Sequence, residues 1–558
     1  MTERPNHLAG QQRGGRTLLT VLGLAALFLV LIFWFTAPWT VGGIRIDRLT
    51  PVLGSALLLL VPAWIFRGSR VALLQRLLVR PVRISGRGVL FGCAVLTVFL
   101  FRFLLSRFHG LEINGWDFSM FDLAIEEASR GTILYSVFFG QSYLAVHASY
   151  VLFLLVPLYW IARSPYWLLG IQGLALASAT GVGFLAARRI LKDDLAALML
   201  ALGLFLNSYT AKIAQYAFHV EVFYPLTLLL AALGLLRRSW LLFVIGLILS
   251  IAVKEDAVLA LTGLALLVVV ARREWTWAAA AVLVGGVGFA IAHFLVMPYF
   301  ASGAPGEPWY SAMWGRYGPT PLKAASAMLA QPWEVGKDLM KSGLRDVLEP
   351  MLFLPLIGWE WLLAAGPAAV VYATASGDQL SRFNLYYSAP VLGFVFLGAA
   401  LGLSRIVNRM RRSRGVLPRR RRLRIGAAIF LFVCAFDGPS YRFMDEKPQR
   451  REIRGLVRKA PPGIPIDVQG SLLPHAGYSS SLRPLARIDP LPVRCALLVD
   501  PGSNPYPFQR KDIERLVARL KRDSGYTVTE TGAGLVLAIP AGSNLSSRAA
   551  FADQRARR

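Results

Sequence analysis

Apolar runs long enough to cross a bilayer recur along most of this chain, and few folds accept that pattern. In hydrocarbon every backbone N–H and C=O must be satisfied within the segment, which leaves helices of about 20 apolar residues as the natural solution. Residues 17–39 form such a run and lack a small-residue cleavage site, so they read as an anchor helix rather than a removable signal peptide. Residues 51–66 and 88–105 follow. Further runs lie at about 143–162, 166–187, 195–207, 220–236, 240–253, 257–271, 277–297, 347–357, 359–374, 387–406 and 425–436. With 55% hydrophobic and only 16% charged residues, one soluble core is excluded. The fold class is an α-helical polytopic membrane protein of about thirteen transmembrane helices.

The formal net charge of +28 would point to nucleic acid in a soluble protein. Here the Lys and Arg side chains gather at the ends of apolar runs. One cluster is Arg67, Arg70, Arg76, Arg80, Arg83 and Arg87, and the other runs from Arg405 to Arg424. The positive-inside rule reads both as cytoplasmic loops, so no nucleic-acid partner is expected. Contact with anionic membrane lipid or a lipid-linked phosphate is the weaker alternative. Arg188-Arg189, Arg237-Arg238 and Arg272-Arg273 also read as inside, yet counting crossings forward from residues 88–105 puts Arg188-Arg189 outside. Either a segment between 131 and 162 is re-entrant or crosses twice, or that pair breaks the rule.

The organisation expected is a cytoplasmic tail at 1–16 and a multi-helix membrane domain at 17–436 with outer loops at 106–142 and 298–345. An extracytoplasmic α/β domain follows at 437–542, and then a disordered tail at 543–558. Strand-like runs at 463–468 and 496–500, an amphipathic helix at 509–523 and a hairpin at 526–539 support the α/β domain. Three cysteines and six scattered histidines give neither a disulfide framework nor a metal pattern. No cofactor is assigned, a divalent metal ion being the open candidate.

Residues 114–131 are acidic in a basic chain. Asp117 and Asp122 are followed by Glu126 and Glu127, and Asp122 and Glu126 share one face of a short helix. The plain reading is a solvated interfacial helix; the sharper one is a general base at the membrane surface. Other ionisable groups stand at the ends of apolar runs, where burial of charge is costly. They are His147, His219 with Glu221, and Lys254-Glu255-Asp256, all on the side of Asp122 by the crossing scheme. His147 and His219 read equally as hydrated interfacial residues, Lys254 to Asp256 as a helical hairpin turn, and His293 as a core histidine.

The ordered set Phe121 to Ile125, His147 with Pro157 to Tyr159, Phe218 to Glu221, Lys254 to Ala257, Arg382 to Pro390 and Leu472 to His475 resembles an uncharacterised family of prokaryotic polytopic membrane proteins, a domain of unknown function. The resemblance covers about residues 110–540. That family in turn resembles the GT-C glycosyltransferases, membrane enzymes that take a sugar from a polyprenyl-phosphate carrier on the outer side. This chain departs from the family where Glu126-Glu127 replaces the more usual uncharged residues.

The resemblance implies a GT-C-like protein of the prokaryotic inner membrane whose partner is a polyprenyl-phosphate-linked sugar. Asp122 is the implied catalytic carboxylate, with Asp117 second. His147, His219, Glu221, Lys254, Glu255, Asp256, Arg382, Tyr386 and Tyr387 are the substrate-binding candidates. Lys254 and Arg382 are the cations to meet the leaving phosphate, ahead of Arg316. A lipid-linked-substrate transporter or flippase, or a non-enzymatic membrane assembly protein, stands as the alternative. The sequence does not determine oligomeric state.

Overall fold

The structure, a computed structural model, describes residues 39–41, 44–46, 81–301, 313–410, 418–437, 441–490 and 495–542. The expected anchor run at 17–39 up to residue 38, the run at 51–66, the arginines from Arg67 to Arg80, the terminal tails and the 302–312 stretch of the second loop lie outside the described residues.

Helix α1 (Gly86–His109) opens at Ser85, whose hydroxyl accepts from the Gly88 N–H at 3.1 Å. Helix α2 (Gly115–Ser129) is the acidic one, and α3 (Tyr166–Leu191) packs antiparallel to α1. The direction is fixed at both ends. His109 Nε2 meets Tyr166 Oη at 3.2 Å at one end, while Arg188 Nη1 donates to the Ile84 carbonyl at 3.1 Å at the other. Everything from 110 to 165 therefore stays on one rim. The run at 143–162 does not span: it breaks into short 3₁₀ turns at Tyr143–Ala145 and Tyr150–Leu155 and a six-residue helix at Val156–Ile161. Arg188 thus lies beside the start of α1, and the conflict with the positive-inside rule disappears.

The chain then alternates between rims through α4 (Asp194–Leu206), the bent continuation α5 (Ser208–Gln215), α6 (Tyr224–Arg237), α7 (Trp240–Val253), α8 (Ala257–Leu267) and α9 (Trp275–Ala290). Helices α10 (Glu360–Ala373), α11 (Ala389–Arg409) and α12 (Arg419–Phe436) complete the bundle. Among the described residues five helices are long and apolar enough to cross a membrane, or six if the pair α4 and α5, bent by 46°, is one span. Four shorter apolar helices accompany them, so the described residues fall short of the thirteen crossings expected. Lipid tails are as apolar as leucine, so these helices associate by close packing rather than by hydrophobic driving force. A Cβ on Gly246 would sit 2.4 Å from the Ala231 nitrogen, and one on Gly263 would sit 2.1 Å from the Ala364 oxygen. Backbones meet there because no side chain intervenes.

One rim is arginine-rich. Arg424, fully buried, forks onto Asp193 with contacts of 2.9 and 3.0 Å, and Asp193 also caps α4 by accepting from the Ala196 N–H at 3.0 Å. A buried guanidinium is tolerable because its carboxylate is held in place by the helix start.

The opposite rim carries residues 441–490 and 495–542. Helix α13 (Gln449–Val457) leads to strands β1 (Ile466–Val468), β2 (Leu482–Pro484) and β3 (Ala496–Val499), then helix α14 (Arg510–Arg522) and strands β4 (Tyr526–Glu530) and β5 (Val536–Pro540). The sheet order is β2-β1-β3-β5-β4, with β1 parallel to β2 and β3 and the β4–β5 hairpin antiparallel. Alternation along β3 sorts its residues between two layers. Leu497 and Val499 pack with Ile513, Leu516 and Leu520 of α14, while Ala496 and Leu498 pack with Ile453 and Leu456 of α13. This unit seats on α2: a Cβ on Gly115 would lie 2.1 Å from the Gly470 oxygen, and Asn504 Nδ2 donates to the Ile113 carbonyl at 3.3 Å.

Candidate functional site

Asn114 starts α2, its side-chain oxygen accepting from the Asp117 N–H at 3.3 Å. Asp117 therefore sits in the first turn, where the helix dipole favours a negative charge. Its side chain is half-buried and accepts from Tyr216 Oη and, at 3.2 Å, from Asn114 Nδ2, which also reaches Tyr216 Oη at 2.6 Å. Burial pushes the Asp117 carboxyl above the ordinary carboxylate range, against the pull of nearby His219 and the Tyr216 hydrogen bond.

Beyond Tyr216 the polar groups continue. His219 stacks on Tyr386 with ring centroids 3.8 Å apart, and its Nδ1 pairs with Glu221. Glu221 accepts from Lys254 Nζ at 2.9 Å, and Lys254 lies 3.7 Å from Asp256. Asp256 accepts from Tyr224 Oη and, at 2.7 Å, from Tyr372 Oη. Tyr386 passes a 3.1 Å hydrogen bond to Tyr387. Glu255 turns to the other side of the same loop, where His147 Nδ1 meets it at 2.7 Å and the Ala148 N–H donates at 3.0 Å. Burial opposes ionisation of Glu255, but His147 and Lys254 outweigh it and hold the carboxyl down at about 2. Lys254 follows the same logic: burial disfavours its charge, and Asp256 and Glu221 more than restore it. Lys254 to Asp256 thus forms the turn between α7 and α8, with its charges buried or half-buried and paired.

Asp122 stands elsewhere. Its Oδ1 accepts from Tyr159 Oη at 2.6 Å and from Tyr478 Oη at 2.9 Å, and the residue is 2% exposed. Burial, opposed by the two tyrosine hydrogen bonds, pushes its carboxyl up to about 7. On the same face Glu126, also buried, pairs with Arg130 at 2.6 Å and lies 3.6 Å from Arg163. The structure therefore brings Asp117, not Asp122, to His219, Glu221 and Lys254, because the two carboxylates project from different faces of α2.

Among the remaining candidates, Arg382 is exposed, and its backbone closes on Gly343. Arg316 is committed to Asp338 and to the Thr374 carbonyl at 2.7 Å. His293 stacks on Phe289 at 5.3 Å, away from the network. Tyr216, Tyr224, Tyr372 and Tyr478 escaped the sequence reading, as did half-buried Lys212, whose Nζ donates to Asn384 Oδ1 at 3.1 Å, while Tyr159 entered it only within the Pro157 to Tyr159 motif and without a role. The available signal was position, since Tyr216 precedes His219 by three residues and Lys212 is the one charged residue of α5. Among the described residues no group of three or more His, Cys, Asp or Glu side chains is arranged to hold a metal ion.

The fold and this network define a multi-pass membrane protein with a connected set of buried and half-buried charges on one rim. The chain belongs to the DUF2079 family of predicted membrane proteins, which it matches over residues 107–444. That span includes every member of the Asp117 network and ends before the C-terminal sheet. No curated protein sequence matches the chain. Among solved structures it is similar to ArnT from Cupriavidus metallidurans bound to undecaprenyl phosphate, at 13% identity over 81% of this chain and 98% of that chain with a TM-score of 0.47. It is also similar to the apo state of the same protein, at 14% identity over 80% of this chain and 98% of that chain with a TM-score of 0.43.

Proposed function

We propose that the chain transfers a sugar from a polyprenyl-phosphate donor to an acceptor hydroxyl on the extracytoplasmic face of a prokaryotic inner membrane. The observation that carries this reading is Asp117, a largely buried carboxylate of raised proton affinity that stands beside His219 on the rim opposite the arginines. The arginine rim faces the cytoplasm by the positive-inside rule, so Asp117 and the C-terminal sheet unit face outward.

An acceptor hydroxyl is too weak an acid to attack unaided. Asp117 takes its proton as the acceptor oxygen forms a bond to the anomeric carbon, and the bond from that carbon to the phosphate oxygen breaks with its electron pair leaving on the phosphate. Attack in line with the departing group inverts the anomeric centre. The charge gathering on the phosphate needs cations whose own charge is not already compensated. Lys254 is held between Glu221 and Asp256, which makes it an organiser of the network. Arg382, exposed, is the cation for the phosphate; Lys212, bonded to Asn384 two residues further along the same loop and facing Asp346 and Asp437, holds that loop. His219, Glu221, His147, Glu255, Tyr386 and Tyr387 shape the donor and acceptor sides.

The test uses the full-length protein in liposomes with polyprenyl-phosphate-linked sugars and a hydroxyl acceptor. Asp117→Asn is expected to lower transfer by about 100-fold or more, the usual contribution of a general base. Undiminished transfer by that variant removes the mechanism, and movement of intact lipid-linked sugar across the bilayer without a new glycosidic bond favours a flippase.

A further inference from the structure

We propose that Asp122 is a positioning residue which, through Tyr159 and Tyr478, ties α2 to the short rim helix Val156–Ile161 on one side and to the C-terminal sheet unit on the other, and so fixes where Asp117 stands. The inference rests on the reading of Asp117 as the base. Its geometry is independent of that reading.

Two phenol groups from distant parts of the chain converge on one oxygen. Tyr159 comes from the short helix Val156–Ile161, and Tyr478 follows the Leu473–Ala476 turn after β1. With 2% of its surface exposed, Asp122 has no opening through which an acceptor would reach it. What it offers is a hydrogen-bond acceptor at the junction of three segments. Asp117 and Asp122 are five positions apart, which on a helix is about 140° of rotation and about 7.5 Å of rise. A rigid α2 thus converts the position of one carboxylate into the position of the other.

Two further contacts hold the same helix against the same unit. Gly115 lies directly on Gly470, where any side chain would collide with backbone, and Asn504 reaches both the Ile113 carbonyl at 3.3 Å and the Leu111 carbonyl at 3.4 Å. Glu126, one turn beyond Asp122, pairs with Arg130 within α2 and lies near Arg163 at the start of the segment leading to α3. Displacement of about 1 Å at a reacting group is enough to cost a large factor in rate, so a clamp of this kind acts on catalysis without touching substrate.

The decisive comparison is Asp122→Ala with Asp122→Asn. Asparagine keeps the acceptor oxygen that both tyrosines use, whereas alanine removes it and leaves the buried Tyr159 hydroxyl and the half-buried Tyr478 hydroxyl without it. Alanine is expected to lower kcat by about tenfold or more with acceptor KM changed less than about twofold, and asparagine to restore kcat to within about threefold of wild type. An asparagine variant as inactive as alanine gives Asp122 a proton or charge role and overturns the proposal. An alanine variant with unchanged kcat does the same.

Tyr478→Phe keeps the ring and its packing and provides a readout that needs no turnover. Backbone amide exchange across residues 115–129 is expected to rise by about tenfold in the full-length protein, since one of the two ties is released. Unchanged exchange there overturns the clamp. If exchange rises but wild-type protein transfers no sugar from any donor offered, the clamp stands and the sugar-transfer reading alone falls.

Discussion

Asp117 and Asp122 are the same residue type five positions apart, and their surroundings give them different chemistry. Because burial raises the Asp117 carboxyl above its usual range, the acid side of a transfer-rate profile should inflect above pH 3.8, with rate falling as pH drops and the base takes up its proton. Asp117→Asn should abolish that limb. Asp122 makes a stability prediction instead. Folded protein retains its proton up to about pH 7, whereas the unfolded carboxyl holds one only to about 3.8. The folded state therefore binds more protons across that window, and stability should fall as pH rises from about 4 to about 7. Thermal melts of wild type and Asp122→Asn in detergent should diverge over that range, with parallel curves counting against a buried ionisable Asp122. Lys254 is the most consequential single charge, because removing it leaves Glu221 buried without its 2.9 Å partner. Lys254→Met should destabilise the protein by about 3–5 kcal/mol, and adding Glu221→Gln should recover part of the loss. An additive double variant would mean that the pair is not coupled.

At the scale of elements, local pattern accounted for what local forces govern. The amphipathic run at 509–523 forms α14 over Arg510–Arg522, with a Gln509 and Asp512 capping box, and the expected hairpin forms as β4 and β5. Strand-like runs at 463–468 and 496–500 contain β1 and β3. The run at 143–162 is apolar enough to suggest a crossing, yet Ser149 and Pro157 fall inside it and the chain takes 3₁₀ turns there. Hydropathy counts apolar side chains and does not register such breaks. Glycines mark where elements touch. Gly115→Ala should place a methyl group into the Gly470 carbonyl and cost about 1–3 kcal/mol, with the loss read by melting temperature and by faster proteolysis between α2 and the C-terminal unit. A neutral outcome would mean that the two do not press together.

Over the whole molecule, the antiparallel pairing of α1 with α3 assigns charges to rims. Thr132 and Arg273 are both exposed and lie on opposite rims. An impermeant thiol reagent applied to intact cells should label a Thr132→Cys variant and leave Arg273→Cys unlabelled until the membrane is opened; the reverse pattern would turn the molecule over. A cysteine at Ser119 would report nothing, since that position is fully buried. The sequence alone determined that this chain lives in a membrane, where its positive charges gather, and that acidic and histidine-bearing segments interrupt the apolar runs. Those properties follow from transfer free energies that each segment carries by itself. Which face of α2 meets the network was a matter for tertiary structure. Asp117 is joined to Tyr216, and Asp122 to Tyr159 and Tyr478, only because residues up to 356 positions apart pack around one helix. Hydrogen bonds of that range depend on how helices and sheet are stacked, and no local window of sequence contains both partners.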